Sequence, residues 1–131
     1  MFVRDCWYVA AWDHELEAGK PIGRTLIGEA VVIYRAETGG LVALADRCCH
    51  RFAPLSLGRV EGDELRCMYH GLKFDRSGRC TEIRQPDRLH PPFLRPRQFL
   101  RRHRGLRPHP SHGRAAGTRG AHLALDERRP A

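Results

Sequence analysis

Two short motifs, with 16 residues between them, constrain this chain more than any other feature: Cys48-Cys49-His50 and Cys67-Met68-Tyr69-His70. Each brings one thiolate and one imidazole from a single loop, so any fold the chain adopts must set two loops side by side. The donor set admits two centres. Four donors around one ion make a structural zinc site. Two sulfurs on one iron and two nitrogens on a second make an asymmetric 2Fe-2S centre, in which neutral His replaces anionic Cys and raises the potential. Five cysteines, an odd number, argue against a disulfide framework and for thiolates kept reduced as ligands. Cys49, beside a ligand, is expected to point away from it, and Cys6 and Cys80 to pack as small hydrophobes.

The rest of the sequence supplies strands for such loops. Residues 7–11, 30–35 and 41–45 are short, apolar and partly β-branched, and the last two flank Glu37-Thr38-Gly39-Gly40, which predicts a hairpin. Glu64 to Cys67, Leu72 to Phe74 and Cys80 to Ile83 are further strands, separated by turn signals at Glu61-Gly62-Asp63 and Arg76-Ser77-Gly78. Asp13 to Ala18 reads as one helical turn capped by Asp13. Gly58, Gly62 and Gly71 read as loop positions that let backbone amides approach the bound centre or let the chain turn sharply. The pattern is all-β and antiparallel, in a chain of 131 residues with room for one core.

Charge divides the chain. Residues 1–83 carry nine Arg and two Lys against 12 Asp or Glu, a balance of −1; residues 84–131 carry 12 Arg against three acids, a balance of +9. That second part has eight Leu or Phe, no Ile, Val, Tyr, Trp or Met, and seven Pro, so composition predicts a disordered basic tail. Natural basic arms mix Lys with Arg, and a nucleic-acid partner is not expected. Arg, Pro, Ala, Gly and His share GC-rich codons, which points instead to a shifted reading frame. No apolar run is long enough to cross a membrane, and Arg4, Asp5 and Asp13 interrupt any export signal, so a cytoplasmic protein with no membrane partner is expected.

The stretch from Asp46 to Gly58 (Asp46-Arg47-Cys48-Cys49-His50-Arg51-Phe52-Ala53-Pro54-Leu55-Ser56-Leu57-Gly58), with Gly62 to Asp75, resembles the Rieske domain of bacterial aromatic-ring oxygenases. The opening Cys6-Trp7-Tyr8-Val9-Ala10-Ala11-Trp12 is similar, more narrowly, to the oxygenase component of vanillate O-demethylase. The likeness covers residues 1–83. It implies an antiparallel β-sandwich with a cluster-binding subdomain, and a 2Fe-2S cluster on Cys48, His50, Cys67 and His70; the long matching context favours the cluster over zinc. It also implies a NADH-dependent flavin reductase as electron donor, and an oxygenase domain or subunit, with a mononuclear non-haem iron, as acceptor.

That second iron is normally held by two His and one carboxylate. His90, His103, His109, His112 and His122 lie among Arg and Pro with only Asp87, Asp126 and Glu127 nearby in sequence, and no such site is expected in this chain, nor any catalytic residue. The resemblance therefore reads as the N-terminal part of an oxygenase, with a stand-alone Rieske ferredoxin as the alternative. Where high-potential respiratory Rieske proteins place Ser and Tyr as donors to cluster sulfurs, this chain has Leu72 and Phe74. The potential is expected nearer roughly −150 mV than +300 mV. Ala53 and Tyr69 occupy the positions where the respiratory type carries a disulfide.

Overall fold

The computed structural model describes residues 7–83, 106–108 and 120–124. In chain order these form β1 (Trp7–Trp12), a 3-10 turn (Asp13–Glu15), β2 (Ile22–Leu26), β3 (Glu29–Arg35), β4 (Leu41–Ala45), a second 3-10 turn (Leu55–Leu57), β5 (Arg59–Glu61), β6 (Glu64–Arg66), β7 (Lys73–Phe74), β8 (Cys80–Glu82), β9 (Leu106–Pro108) and β10 (Gly120–Ala124). There is no α-helix among the described residues, and none long and apolar enough to cross a membrane. Every strand pair is antiparallel, in three sheets ordered β1-β10-β9, β2-β3-β4 and β5-β6-β7-β8.

β3 explains the architecture. Its run Val31-Val32-Ile33-Tyr34 is apolar without interruption because both faces are covered. Val32 and Tyr34 join Leu44 and Leu55 in a core shared with Leu65 and Phe74 of the four-stranded sheet. Val31 and Ile33 face the other way, with Ala43, onto Ala10, Ala11 and Leu16. A side chain such as Leu65 or Phe74, fully enclosed, contributes about 1.5–3 kcal/mol by burial. Tyr34 carries its one polar atom out of the core by donating from its hydroxyl to the Asp63 carbonyl at 3.0 Å.

The β3–β4 hairpin forms as the Gly-Gly signal predicts, with Gly39 at φ 88 and Ala36 N–H donating to the Gly40 carbonyl at 2.8 Å. The helical turn is shorter than expected and is capped differently: it ends at Glu15, its N-cap is Trp12, and the Trp12 amide donates to Glu15 Oε2 at 2.8 Å. Asp13 is thus free to pair with Arg35 at 2.6 Å. In the basic tail, residues 106–108 and 120–124 are the described ones. They are strands, and β10 pairs with β1 from Trp7↔Ala124 to Trp12↔Gly120. Strand addition satisfies backbone donors and acceptors, so it does not need the apolar side chains whose scarcity prompted the expectation. The remainder of 84–131, with four of the five tail histidines, lies outside the described residues, as does Cys6.

Candidate metal centre

The two motifs sit on loops built to one plan. The first leaves β4 and ends at the 3-10 turn Leu55–Leu57; the second joins β6 to β7. In the first, Phe52 N–H donates to the Cys48 carbonyl and Cys48 N–H to the Ala53 carbonyl, both at 2.9 Å. In the second, Gly71 N–H donates to the Cys67 carbonyl at 3.2 Å and Cys67 N–H to the Leu72 carbonyl at 2.8 Å. Each cysteine is thereby pinned at both backbone groups. Each loop closes through one left-handed residue four positions after its cysteine, Phe52 at φ 57 and Gly71 at φ 73.

This construction delivers like donors to like. Cys48 and Cys67 are both 2% exposed, and their thiols hydrogen-bond each other. The Cys67 thiol is pushed far up from its ordinary value, first by that bond to Cys48 and then by burial. Cys48 is raised too, chiefly by its bond with the Cys49 thiol. Bound iron would reverse this, because a coordinating thiol gives up its proton outright. His50 and His70 are half-buried and face each other, Nδ1 to Nδ1 at 3.0 Å, rings edge to face with centroids 4.6 Å apart. His50 is held toward its neutral form by burial, then by the nearness of His70 and Arg51.

The donors fit a two-iron centre. Two nitrogens bound at about 2.1 Å to one tetrahedral metal stand roughly 3.4 Å apart, so the imidazole pair needs to open by only a few tenths of an ångström. Among the described residues no three His, Cys, Asp or Glu side chains converge on one point. In this arrangement the sulfurs lie together and the nitrogens lie together, as two pairs.

Cys49 differs from expectation. Its thiol touches Cys48 instead of pointing away, and that hydrogen bond lowers its pKa; its half-buried side chain packs against the core, as does that of Cys80. Cys80 Sγ also contacts the Glu82 carbonyl at 3.6 Å. Tyr69, where the respiratory type has a disulfide cysteine, lays its ring on His70 at 3.9 Å between centroids.

Two supporting residues escaped the sequence reading. Asp46 clamps the end of the first loop, accepting from Ser56 N–H at 2.7 Å and Ser56 Oγ–H at 2.6 Å. Arg66, a buried charge at 8% exposure, donates from Nη1 to the Gly71 carbonyl at 2.8 Å, from Nε to Glu61 and from Nη2 to Glu82. It fixes the far side of the second loop to β5 and β8. Its place directly before Cys67, among Glu61, Glu64 and Glu82, was the available signal.

Comparison with known proteins agrees with this geometry. A family model described as the Rieske [2Fe-2S] domain matches residues 6–95. The chain belongs to that family. The match runs past the boundary at residue 83 drawn from the motifs. Among individual relatives, the iron-sulfur subunit of the toluene-4-sulfonate monooxygenase system of Comamonas testosteroni is 56% identical over 91 residues, 70% of this chain and 26% of that protein. The oxygenase component of dicamba O-demethylase from Stenotrophomonas maltophilia is 45% identical over 98 residues, 75% of this chain and 29% of that protein. The vanillate O-demethylase oxygenase subunit of a Pseudomonas species is 46% identical over 79 residues, 60% of this chain and 22% of that protein. A crystal structure of dicamba monooxygenase superposes with a TM-score of 0.70 at 36% identity, covering 96% of this chain and 36% of that one. The chain thus spans about a quarter of the length of these curated relatives. The likeness to vanillate O-demethylase stands, alongside other aromatic oxygenase components of similar or higher identity.

Proposed function

We propose that this Rieske domain passes single electrons through a 2Fe-2S cluster held by Cys48 and Cys67 as thiolates on one iron and by His50 and His70, through Nδ1, on the other. The observation that carries the ligand assignment is the sorting of donors into a buried sulfur pair and a half-exposed nitrogen pair. When bound, the cluster supplies a one-electron couple. The chain's own groups do the rest: the pinned cysteines exclude water, and the imidazoles form the edge nearest solvent, where an electron enters or leaves.

The names of the relatives, iron-sulfur subunits and oxygenase components, support a place in a multi-component oxygenase. In this reading a NADH-dependent flavin reductase supplies the electron. A mononuclear iron in an oxygenase domain or subunit receives it and acts on an aromatic acid. The Arg-, Pro- and His-rich composition of 84–131 supports a shifted reading frame, which resequencing the gene tests.

The functional experiment is anaerobic mixing of the cluster-bearing chain with a reductase of such a system and NADH. Bleaching of the cluster's visible absorbance is expected, and Cys67→Ala or His50→Ala should abolish both absorbance and bleaching. With oxygen and a methoxybenzoate, demethylated product is expected only when a separate oxygenase is added. No bleaching would contradict the electron-transfer role, and product from chain and reductase alone would place the catalytic iron within this chain.

A further inference from the structure

Arg66 on β6 is the cross-strand partner of Arg59 on β5 and of Lys73 on β7, so three cations stand abreast beside the second loop. Like charges directly opposite each other destabilise a sheet unless carboxylates stand between them. Glu61 reaches all three cations, Glu64 pairs with Lys73, and Glu82 pairs with Arg66. Three carboxylates thus answer three cations. Arg59 is exposed and Lys73 half-buried; only Arg66 is enclosed, at 8%.

Burying a charge is costly, and an ion pair seldom offsets that cost in stability, so the place of Arg66 points to a role that a neutral side chain does not fill. Its bonds define that role. A guanidinium holds its donors in a rigid planar fork. Nε donates to Glu61 Oε1 at 2.8 Å and Nη2 to Glu82 Oε2 at 3.0 Å, while Nη1 donates to the Gly71 carbonyl at 2.8 Å. Two prongs are tied to β5 and β8. The third reaches across the whole loop, from the residue before Cys67 to the residue after His70. Gly71 is also held by its own N–H, which donates to the Cys67 carbonyl at 3.2 Å. The residue fixed on both sides is one peptide bond from the imidazole-bearing His70. The first loop is closed by other means, the Asp46 carboxylate on Ser56.

We propose that Arg66 is a positioning residue for His70: its guanidinium straps the Gly71 carbonyl to β5 and β8 and so sets the orientation in which the His70 imidazole is presented to the metal centre. The inference rests on the ligand assignment proposed above and adds the group that holds one of the four ligands in place.

The test uses the full chain loaded with its cluster. Pulsed electron paramagnetic resonance of the reduced protein resolves two imidazole nitrogen couplings, which His50→Cys and His70→Cys assign. Arg66→Lys keeps the charge and loses the fork; Arg66→Gln loses both. Each should shift the His70 coupling while leaving that of His50 as in the parent. Each should also release iron to an excess of chelator about tenfold faster or more. Glu82→Gln, at an exposed carboxylate, loosens a single prong and should shift the same coupling by less.

An Arg66→Lys protein with the parent's His70 coupling and iron release would overturn the proposal, because charge alone would then suffice. Equal shifts in both couplings would also overturn it, as the mark of a general loosening of the domain. Should neither Arg66 variant hold a cluster, Glu82→Gln decides, and parent-like couplings there reject the strap. A parent without a paired-iron signal removes the ligand assignment; a parent with two assigned couplings that none of these variants moves removes this inference alone.

Discussion

Gly58 shows how much one hydrogen atom in place of a side chain matters near the cluster loops. Its φ of −83 is open to any residue, but a Cβ there would stand 2.1 Å from the Arg66 carbonyl oxygen, a backbone atom that cannot swing away. Gly58→Ala should therefore cost about 1–3 kcal/mol, read as a lower urea midpoint, with weaker cluster retention because Arg66 precedes Cys67. An unchanged midpoint would mean that the two segments part easily. The sequence marked Gly58 for a sharp turn or an amide near the cluster; what the structure shows there is a close approach to the Arg66 carbonyl. The two Cys-His motifs were legible because coordination chemistry fixes residue type and spacing; the left-handed Phe52 was not, because φ is invisible in a residue's name. Leu72 and Phe74 are buried and offer no hydroxyl to the cluster. The midpoint should therefore lie nearer about −150 mV than +300 mV, and Leu72→Ser with Phe74→Tyr should raise it. A clearly positive value in the parent chain would refute this.

At the scale of elements, the second loop is tied to its neighbours by a charge network as well as by its own backbone bonds. Glu61 accepts from Arg59 and Arg66, and these bonds hold its carboxyl down to about 2 from an ordinary 4.5. A carboxylate whose folded pKa is depressed adds stability that is complete above its unfolded pKa and is lost as pH falls through the folded one. The urea midpoint should accordingly decline between pH about 4.5 and about 2, and Glu61→Gln should remove part of that slope. Parallel slopes in parent and variant would contradict the role given to Glu61. Strands β3, β4, β6, β7 and β8 were readable from apolar runs between turn signals. β2 was missed because its hairpin turn is Ile27-Gly28, with Ile27 at φ 50, where an Asn-Gly pair would have announced it. β5 is three residues long and hidden in the turn signals around Gly58 and Gly62. β9 and β10 could not be read at all, since backbone pairing leaves no trace in composition.

Over the whole molecule, the β2-β3-β4 sheet serves two cores at once; the first cluster loop leaves its β4, and the second joins β6 to β7 of the four-stranded sheet that shares one of those cores. The sulfur pair is buried and the imidazole pair half-buried, so under the proposed function the imidazoles are the edge at which electrons cross. The central claim is the sorting of four ligands into two sulfurs and two nitrogens on paired irons. The most direct measurement is pulsed electron paramagnetic resonance of the anaerobically reduced protein, with iron and acid-labile sulfide assayed on the same sample. Two iron and two sulfide per chain are expected, with couplings to two imidazole nitrogens, one of which disappears in His50→Cys and the other in His70→Cys. Zinc in place of iron, or a paired-iron signal with no nitrogen coupling, would contradict it.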